Sequence, residues 1–250
     1  MQSQPQPGEA HKLKNLTQAR QSAFRTYRSL MYGNCGLLHL IKCELIVLIC
    51  GSLPGALGLL LRSKLYPLMF RKVGRKVVFG RNLTLRHSHK IEIGDGVIID
   101  DNAVLDAKGE SNAGIRLGHR VYIGRNTVVY CKNGNITMGD QVNISSNCQI
   151  FSSNELTFGN GVVVGAFSYF LSGGEYDPKD PTPFAQQSGM CTKGPLTIGN
   201  NVWVAAHVSV LDAACIGDDC VIGAGAVVNK PIPRNSIAVG VPARVVSAMR

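Results

Sequence analysis

Aliphatic residues recur at every sixth position along the C-terminal two thirds of the chain. An amphipathic helix repeats every 3.6 residues and a half-buried strand every 2, so a strict period of six fits neither element alone. Short strands joined by tight turns do fit this period, and three of them make one coil of a prism. The matches are Ile93, Ile99, Leu105, Leu117, Ile123, Val129, Met138, Ile144, Ile150, Phe158, Val164, Phe170, Ile198, Val204, Val210, Ile216, Ile222 and Val228.

A second inward set of mostly smaller residues follows four positions later, for example Val97, Val121 and Cys148. Glycine, asparagine and aspartate occupy the turns, where they tolerate unusual backbone angles. The pattern predicts an all-β solenoid, a parallel β-helix of hexapeptide repeats, over residues 77–250, with Phe79 and Leu85 in a partial first coil. A β-sandwich with evenly spaced strands is the alternative, and so many matches in phase argue against it.

One long insertion interrupts the repeat. Residues 171–196 carry Gly173, Gly174 and four further turn residues, so we expect an extruded loop there. Long loops without regular structure in compact domains are mostly functional or disordered. Because a repeat fold tolerates insertions where they serve a site, we interpret this loop as functional.

The N-terminal third differs from the repeats in charge and hydropathy. Residues 1–35 are predicted to form a polar or amphipathic helix, and residues 36–76 to form apolar and then basic helices. The uncharged run from 45 to 61 is marginal for a membrane span and contains Pro54, so a shallow hairpin fits better. The basic residues that follow, with apolar ones between them, are typical of a surface anchor on anionic lipid. The alternative is that these helices only cap the first coil. The basic residues are Arg62, Lys64, Arg71, Lys72, Arg75 and Lys76.

Composition narrows the functional classes further. The net charge of +10 lies entirely within residues 1–76, beside much aliphatic surface and no aromatic stacking platform, which argues against nucleic acid. The eight cysteines show no zinc-type spacing and indicate a reducing compartment. His87 and His89 share one face of a predicted strand, but no third ligand has a suitable spacing, so no metal is expected. The protein is expected at the cytoplasmic face of the cell membrane, peripheral or monotopic.

The hexads, the block Asn201-Val202-Trp203-Val204 and the ending Gly240-Val241-Pro242-Ala243-Arg244 resemble the hexapeptide-repeat acyltransferases. The similarity is to sugar O-acetyltransferases of exopolysaccharide and galactoside type. It implies a left-handed parallel β-helix, a homotrimer, acetyl-CoA as the acyl donor and a saccharide acceptor.

The same resemblance nominates catalytic residues. The related enzymes place a catalytic histidine near the start of the long loop, where this chain has Glu175 or Tyr176 instead. Glu175 could act as a base in a dry site, and Tyr176 could donate a hydrogen bond. His207 is a third candidate base, at an outward hexad position shared with Asn147, which would lie on the acceptor side.

For acetyl-CoA, the resemblance places Trp203 at the acetyl end of the groove and the Ala206 amide on the thioester carbonyl. Lys230, Arg244 and Lys193 are candidates to bind its phosphates. The function expected is transfer of an acetyl group to a hydroxyl of a lipid-linked sugar or polysaccharide precursor. Two alternatives stay open: a catalytically silent trimeric scaffold at the membrane, and an acetyltransferase for a small soluble sugar or amine.

Overall fold

The computed structural model describes residues 22–33, 35–174, 176–187 and 189–249. Three parallel sheets form the sides of a prism, and the chain visits them in turn, so that each coil adds one strand to each sheet. The first sheet contains β1 (Lys72–Val73), β4 (Ile91–Ile93), β7 (Ile115–Leu117), β10 (Asn135–Met138), β13 (Glu155–Phe158), β16 (Leu196–Ile198) and β19 (Cys215–Ile216).

The second sheet contains β2 (Val78–Phe79), β5 (Ile98–Ile99), β8 (Tyr122–Ile123), β11 (Asn143–Ile144), β14 (Val163–Val164), β17 (Trp203–Val204), β20 (Val221–Ile222), β22 (Ser236–Val239) and β23 (Arg244–Ala248). The third sheet contains β3 (Thr84–Arg86), β6 (Val104–Asp106), β9 (Val128–Cys131), β12 (Gln149–Ser152), β15 (Tyr169–Ser172), β18 (Ser209–Val210) and β21 (Val227–Val228). Strand β23 alone among these pairs antiparallel, folding back on β22. The turn from the first sheet to the second is called the first corner, and the turn from the second sheet to the third is the second corner. The turn from the third sheet back to the first is the third corner.

The predicted inward residues fill the prism. Ile99, Ile123 and Ile144 stack one above another in the second sheet and are fully buried, as are their counterparts in the other sheets. Inward side chains of equal size at equal spacing keep the coils in register, because each coil packs only on its neighbours. The prediction of a left-handed parallel β-helix is confirmed, with about eight coils.

Two predicted boundaries are shifted. The solenoid begins at Lys72 rather than at residue 77, because β1 pairs with β4 and adds a strand to the first coil. The inserted loop spans 173–195 rather than 171–196, because β15 continues to Ser172 and β16 starts at Leu196. Within that loop, residues 175 and 188 lie outside the described residues.

Helices cover the open end of the first coil. They are α1 (Ala23–Met31), α2 (Leu37–Cys50) and α3 (Gly55–Leu65), followed by a 3-10 turn at Tyr66–Met69. The ring of Tyr66 packs edge-on against Phe79 at 5.4 Å, and the ring of Phe70 stacks on Phe79 at 5.6 Å. Residues 1–21, which include most of the predicted first helix, lie outside the described residues.

Arg62 departs from the predicted pattern of basic residues that face lipid. It was predicted to face lipid, but its side chain is 4% exposed. Its guanidinium donates hydrogen bonds to the carbonyl oxygens of Cys50 (3.0 Å), Leu53 (2.7 Å) and Phe79 (2.9 Å). A cation is favourable where helix α2 ends, since the last carbonyls carry partial negative charge. Arg62 therefore joins the helical hairpin to the first coil.

Helix α2 is apolar on two opposite faces. Leu40, Cys43, Ile46 and Cys50 are buried and belong to the same hydrophobic cluster as the core of the solenoid. The outer face leaves large apolar side chains exposed, with Leu38 at 85% and Leu48 at 81%; the others in α2 and α3 are Leu37, Ile41, Leu45, Val47, Ile49, Leu57, Leu59 and Leu60. Contiguous apolar surface of this kind is unusual for a surface in water. Among the described helices, none combines the length and apolar character needed to cross a membrane.

Candidate functional site

The first corner is closed by a ladder of side-chain hydrogen bonds. At each coil, the amide of the middle corner residue donates to the side chain of its counterpart one coil further on. The donor-to-acceptor pairs are Arg75 to Asp95 (2.7 Å), Asp95 to His119 (3.0 Å), His119 to Asp140 (2.8 Å), Asp140 to Asn160 (2.7 Å), Asn160 to Asn200 (2.8 Å) and Asn200 to Asp218 (2.6 Å). These six amides are all used within the fold.

The second corner has the same backbone and no such ladder beyond its first two coils. There, the Arg81 amide donates to the Asp101 side chain one coil further on, and the Asp101 amide donates to the side chain of the adjacent Asp100. From the third coil onward, the middle residues are Arg125, Ser146, Ala166, Ala206 and Ala224. Their amides donate no hydrogen bond to any described residue, because the side chain one coil further on is too short or carries no acceptor. A row of available N–H donors therefore runs along this corner, and it includes the nominated Ala206.

His207 follows Ala206 at the same corner, in the left-handed backbone conformation at φ 59°. Its imidazole stacks face to face on the ring of Phe167, one coil earlier, with centroids 5.1 Å apart and planes 4° apart. Asn147 lies one coil before Phe167, also in the left-handed conformation, and its amide oxygen accepts a hydrogen bond from Asn126 at 3.2 Å. The fold thus places Asn147 and His207 in one outward row, beside the free amides.

Trp203 lies on the outer face of the second sheet, just before the second corner. Its indole is 56% exposed, while its backbone pairs with Val163 and Val221. Asn147, Trp203, Ala206 and His207 are therefore brought together along one edge of the prism.

The inserted loop leaves the prism at the third corner, and Asp212 holds both of its ends. This carboxylate is buried and accepts hydrogen bonds from the Gly173 amide (2.5 Å), the Lys193 amide (2.5 Å) and the Thr192 hydroxyl (3.1 Å). Sequence reasoning missed Asp212. Its signal was a charged residue at the inward position that Cys131 and small serines occupy in other coils.

Tyr176 lies in the loop and packs there. Its ring contacts Phe184 edge-on at 5.9 Å, and it lies so close to Gly189 that a β-carbon at that glycine would be 2.9 Å from the ring. The other loop candidate, Glu175, lies outside the described residues.

The basic residues nominated to bind the phosphates of acetyl-CoA lie in two different parts of the prism. Lys230 follows β21, and Lys193 ends the loop, so both belong to the third corner. Arg244 starts β23, beside β22 at the C-terminal end of the second sheet. The Gly240 carbonyl and Ala243 amide both bond Val227, which holds this ending against the last coil.

Within one chain, the candidate residues therefore form two groups. Asn147, Trp203, Ala206, His207 and Arg244 follow the second sheet and corner, while Tyr176, Lys193 and Lys230 follow the third corner. His207 and Asp212 are five positions apart on either side of a strand of the third sheet, which is roughly 16 Å of extended chain. Within one subunit, the two groups therefore lie at different corners of the prism.

Aromatic side chains cover the outer face of the third sheet between the two groups. The Tyr130 ring packs on Phe151 at 4.7 Å, and Gly174 of the loop lies against the same phenylalanine. Burial raises the pKa of Tyr130 and of Tyr169, so both phenols keep their protons at neutral pH. This face offers neutral donors and apolar rings rather than charge.

The comparisons with known proteins bear on the repeats and on the second corner. Residues 195–230 match the family described as bacterial transferase hexapeptide (six repeats), and this stretch contains Trp203, Ala206 and His207. The resemblance to hexapeptide-repeat acyltransferases is thereby confirmed.

Two relatives and one solved structure are informative. A Staphylococcus aureus protein, provisionally named an acetyltransferase, is 38% identical over 113 residues, which is 45% of this chain and 54% of the relative. The galactoside O-acetyltransferase of Escherichia coli is 49% identical over 61 residues, 24% of this chain and 30% of that enzyme. The chain thus spans about half the length of the staphylococcal relative it matches. A crystal structure of the Bacillus cereus N-acyltransferase AntD, in complex with dTDP and coenzyme A, has a TM-score of 0.53 at 22% identity, covering 75% of this chain and 88% of that one. This last likeness shows the fold alone.

Proposed function

We propose that the protein is an acyltransferase that moves an acetyl group from acetyl-CoA to a hydroxyl of a lipid-linked sugar or polysaccharide precursor. The observation that carries this proposal is the row of available amides at the second corner. An acyl transfer needs donors aimed at the oxygen that becomes negative, and fixed backbone N–H groups are well suited to that task. The same row of N–H groups, beside Trp203, would also bind the extended arm of acetyl-CoA, which carries amide groups and ends in the thioester.

The chemistry assigned to this site has three parts. The imidazole of His207 takes the proton of the acceptor hydroxyl, whose oxygen forms a bond to the thioester carbonyl carbon. The Ala206 amide stabilises the oxyanion. The carbon–sulfur bond then breaks, and His207 returns the proton to the departing thiolate. Asn147, in the same outward row as His207, binds the acceptor, and Trp203 covers the acetyl end of the groove.

The site needs a second copy of the chain. Because His207 and the loop anchor Asp212 lie roughly 16 Å apart along the third sheet, we assign Tyr176, Lys193 and Lys230 to the site of a neighbouring subunit. A homotrimer around a three-fold axis would bring the third corner of one subunit to the second corner of the next at three equal sites. Lys230, Lys193 and Arg244 would then bind the phosphates of acetyl-CoA.

The acceptor assignment draws on two further features. The galactoside O-acetyltransferase similarity favours a sugar hydroxyl over an amine. The exposed apolar face of α2 and α3, with the exposed lysines Lys64 and Lys72 nearby in sequence, favours shallow insertion into an anionic membrane surface. Capping of the first coil by the inner faces of these helices is compatible with insertion of the outer faces.

The direct test of the enzymatic proposal is release of free thiol from acetyl-CoA by the full chain in detergent, with and without saccharide acceptors. Acceptor-dependent release, reduced by Trp203→Ala, supports the transferase. If neither binding nor turnover is detected even at high concentrations of acetyl-CoA, the silent trimeric scaffold would be favoured. Faster turnover with an amino sugar or a soluble saccharide than with a lipid-linked one would overturn the acceptor assignment.

Membrane association has its own test. We expect the chain to sediment with phosphatidylglycerol vesicles and less with phosphatidylcholine vesicles. Leu48→Glu should abolish sedimentation, because it puts a charge into the exposed apolar face. Val246→Glu, a matched change at an exposed valine on β23, should leave sedimentation unchanged. Equal sedimentation of both variants would contradict insertion through α2.

A further inference from the structure

Three soft ligands from separate parts of the chain converge where the helices meet the first coil. Cys35 precedes α2, His39 lies in its first turn, and His89 lies in the 3-10 turn Ser88–Lys90 that follows β3. One ligand atom from each of these side chains lies within 4.8 Å of both others. The sequence spacing concealed this group, since fifty residues separate His39 from His89.

The fold holds each ligand in place. The Cys35 carbonyl accepts a hydrogen bond from Arg28 at 2.7 Å, and the His39 amide donates to Gly36 at 3.1 Å. On the solenoid side, the Ser88 hydroxyl donates to the Met69 carbonyl at 2.8 Å, which fixes the turn that carries His89. Each donor therefore lies on a segment that a hydrogen bond ties to its surroundings.

Two observations point to a ligand at this group. The Nδ1 atom of His89 is buried and has no hydrogen-bond partner among the described residues. A buried polar atom without a partner is costly, and an ion bound at this nitrogen would remove that cost. In addition, the Sγ atom of the buried Cys43 lies 3.4 Å from His39 Nε2, one turn along α2, so a second thiol lies next to one of the three ligands.

The chemistry of the donors selects the ion. A thiolate with two imidazoles and no carboxylate suits zinc, whereas magnesium and calcium prefer oxygen ligands. We propose that Cys35, His39 and His89 bind one zinc ion, which fastens the N-terminal helices to the first coil of the solenoid. The site lies at the opposite end of the prism from Trp203 and Arg244, so its role is structural and independent of acyl transfer.

The test is metal analysis of the full chain, purified in detergent without chelators. We expect about one zinc per chain, as for a structural site, and loss of that zinc in Cys35→Ser and His89→Asn. Cys215→Ser is the matched control, since Cys215 is an exposed thiol outside the group, and it should retain the metal. Equal zinc in all four proteins would overturn the proposal, because the metal would then be bound elsewhere.

A second measurement does not depend on how well the variants fold. Wild-type protein stripped of metal and reduced should take up cobalt with a thiolate-to-metal charge-transfer band, and zinc should displace it. Chelation should lower its melting temperature, because a metal bound only by the folded state stabilises that state. No cobalt band and no effect of chelator on the melting temperature would contradict the proposal.

Discussion

The first and second corners of the prism share one backbone and differ in the side chains at its middle position. At the first corner, aspartate, asparagine and one histidine accept the amide of the preceding coil, in six successive bonds. At the second corner, alanine and serine leave the same amides without a protein acceptor from the third coil onward. A repeat fold can therefore turn a structural ladder into a row of donors by shortening side chains, with no change in topology.

This conversion costs little stability where water can reach the amides. A hydrogen bond within the protein contributes only about 0.5–1.5 kcal/mol net, because it replaces one made to water. Ala206 is half-buried and Ala224 is exposed, so this part of the second corner lies at the protein surface. If the second corner is the acyl-CoA site, exchanging side chains between the corners should exchange their roles.

The largest effect is expected from removing the proposed base. His207→Ala should reduce turnover by about 10²–10⁴-fold, the usual contribution of general acid–base catalysis, with acetyl-CoA binding unchanged. The measurement is steady-state thiol release together with equilibrium binding. His119→Ala, a histidine at the first corner, should keep full turnover, and an equal loss in both variants would remove the distinction between the corners.

The Ala224→Asn substitution gives the second corner the kind of side-chain acceptor that the first corner has. Ala224 is the second-corner equivalent of Asp218, which accepts the Asn200 amide at the first corner. In Ala224→Asn, the new side chain should accept the Ala206 amide in the same way. Turnover should then fall by about 10²–10³-fold, as for loss of one oxyanion donor, while the free energy of unfolding is unchanged or rises.

Ala224→Val is the matched control for this substitution, since valine adds bulk without an acceptor. It should retain most of the activity. Equal losses in the asparagine and valine variants would mean that bulk alone, and not occupation of the amide, blocks the site.

Asp212→Asn tests the third corner. The neutral amide accepts less strongly than the carboxylate and presents an N–H donor to one of the two backbone amides that Asp212 accepts, so the free energy of unfolding should fall by about 1–3 kcal/mol. Loosening of the loop should lower turnover about tenfold, because misplaced groups react slowly, with little change in acetyl-CoA affinity. Denaturation and kinetics check this, with Asp180→Asn inside the loop as control. Unchanged turnover would exclude the loop from the reaction.

The smallest effect is expected at the first corner. Asp140→Ala removes the acceptor of the His119 amide and should lower the free energy of unfolding by about 0.5–1 kcal/mol, with turnover unchanged. Asp140→Asn should restore the stability, because asparagine accepts the same bond at Asn160 and Asn200. A loss of activity in the alanine variant would place this corner in the active site.

The sequence predicted the solenoid because its period of six cannot be produced by any other regular element, and the buried Ile99, Ile123 and Ile144 stack as expected. It could not predict Asp212, whose role depends on a loop returning to the same corner, nor the inward direction of Arg62. The residues proposed for one site, such as His207 and Tyr176, fall at two corners because spacing along the chain does not reveal which subunit supplies each side chain. Cys35, His39 and His89 meet only when the helices fold onto the first coil, which no local pattern encodes.

The central claim is that the open amides of the second corner bind acyl-CoA. Its most direct test is calorimetric titration of acetyl-CoA into the detergent-purified wild type, Ala224→Asn and Asp140→Ala. We predict saturable binding to the wild type at about one site per chain, equal binding to Asp140→Ala, and affinity reduced about tenfold or more in Ala224→Asn, as for loss of hydrogen bonds worth about 1.4 kcal/mol or more. Wild-type affinity in Ala224→Asn, or no binding to the wild type, would contradict the claim.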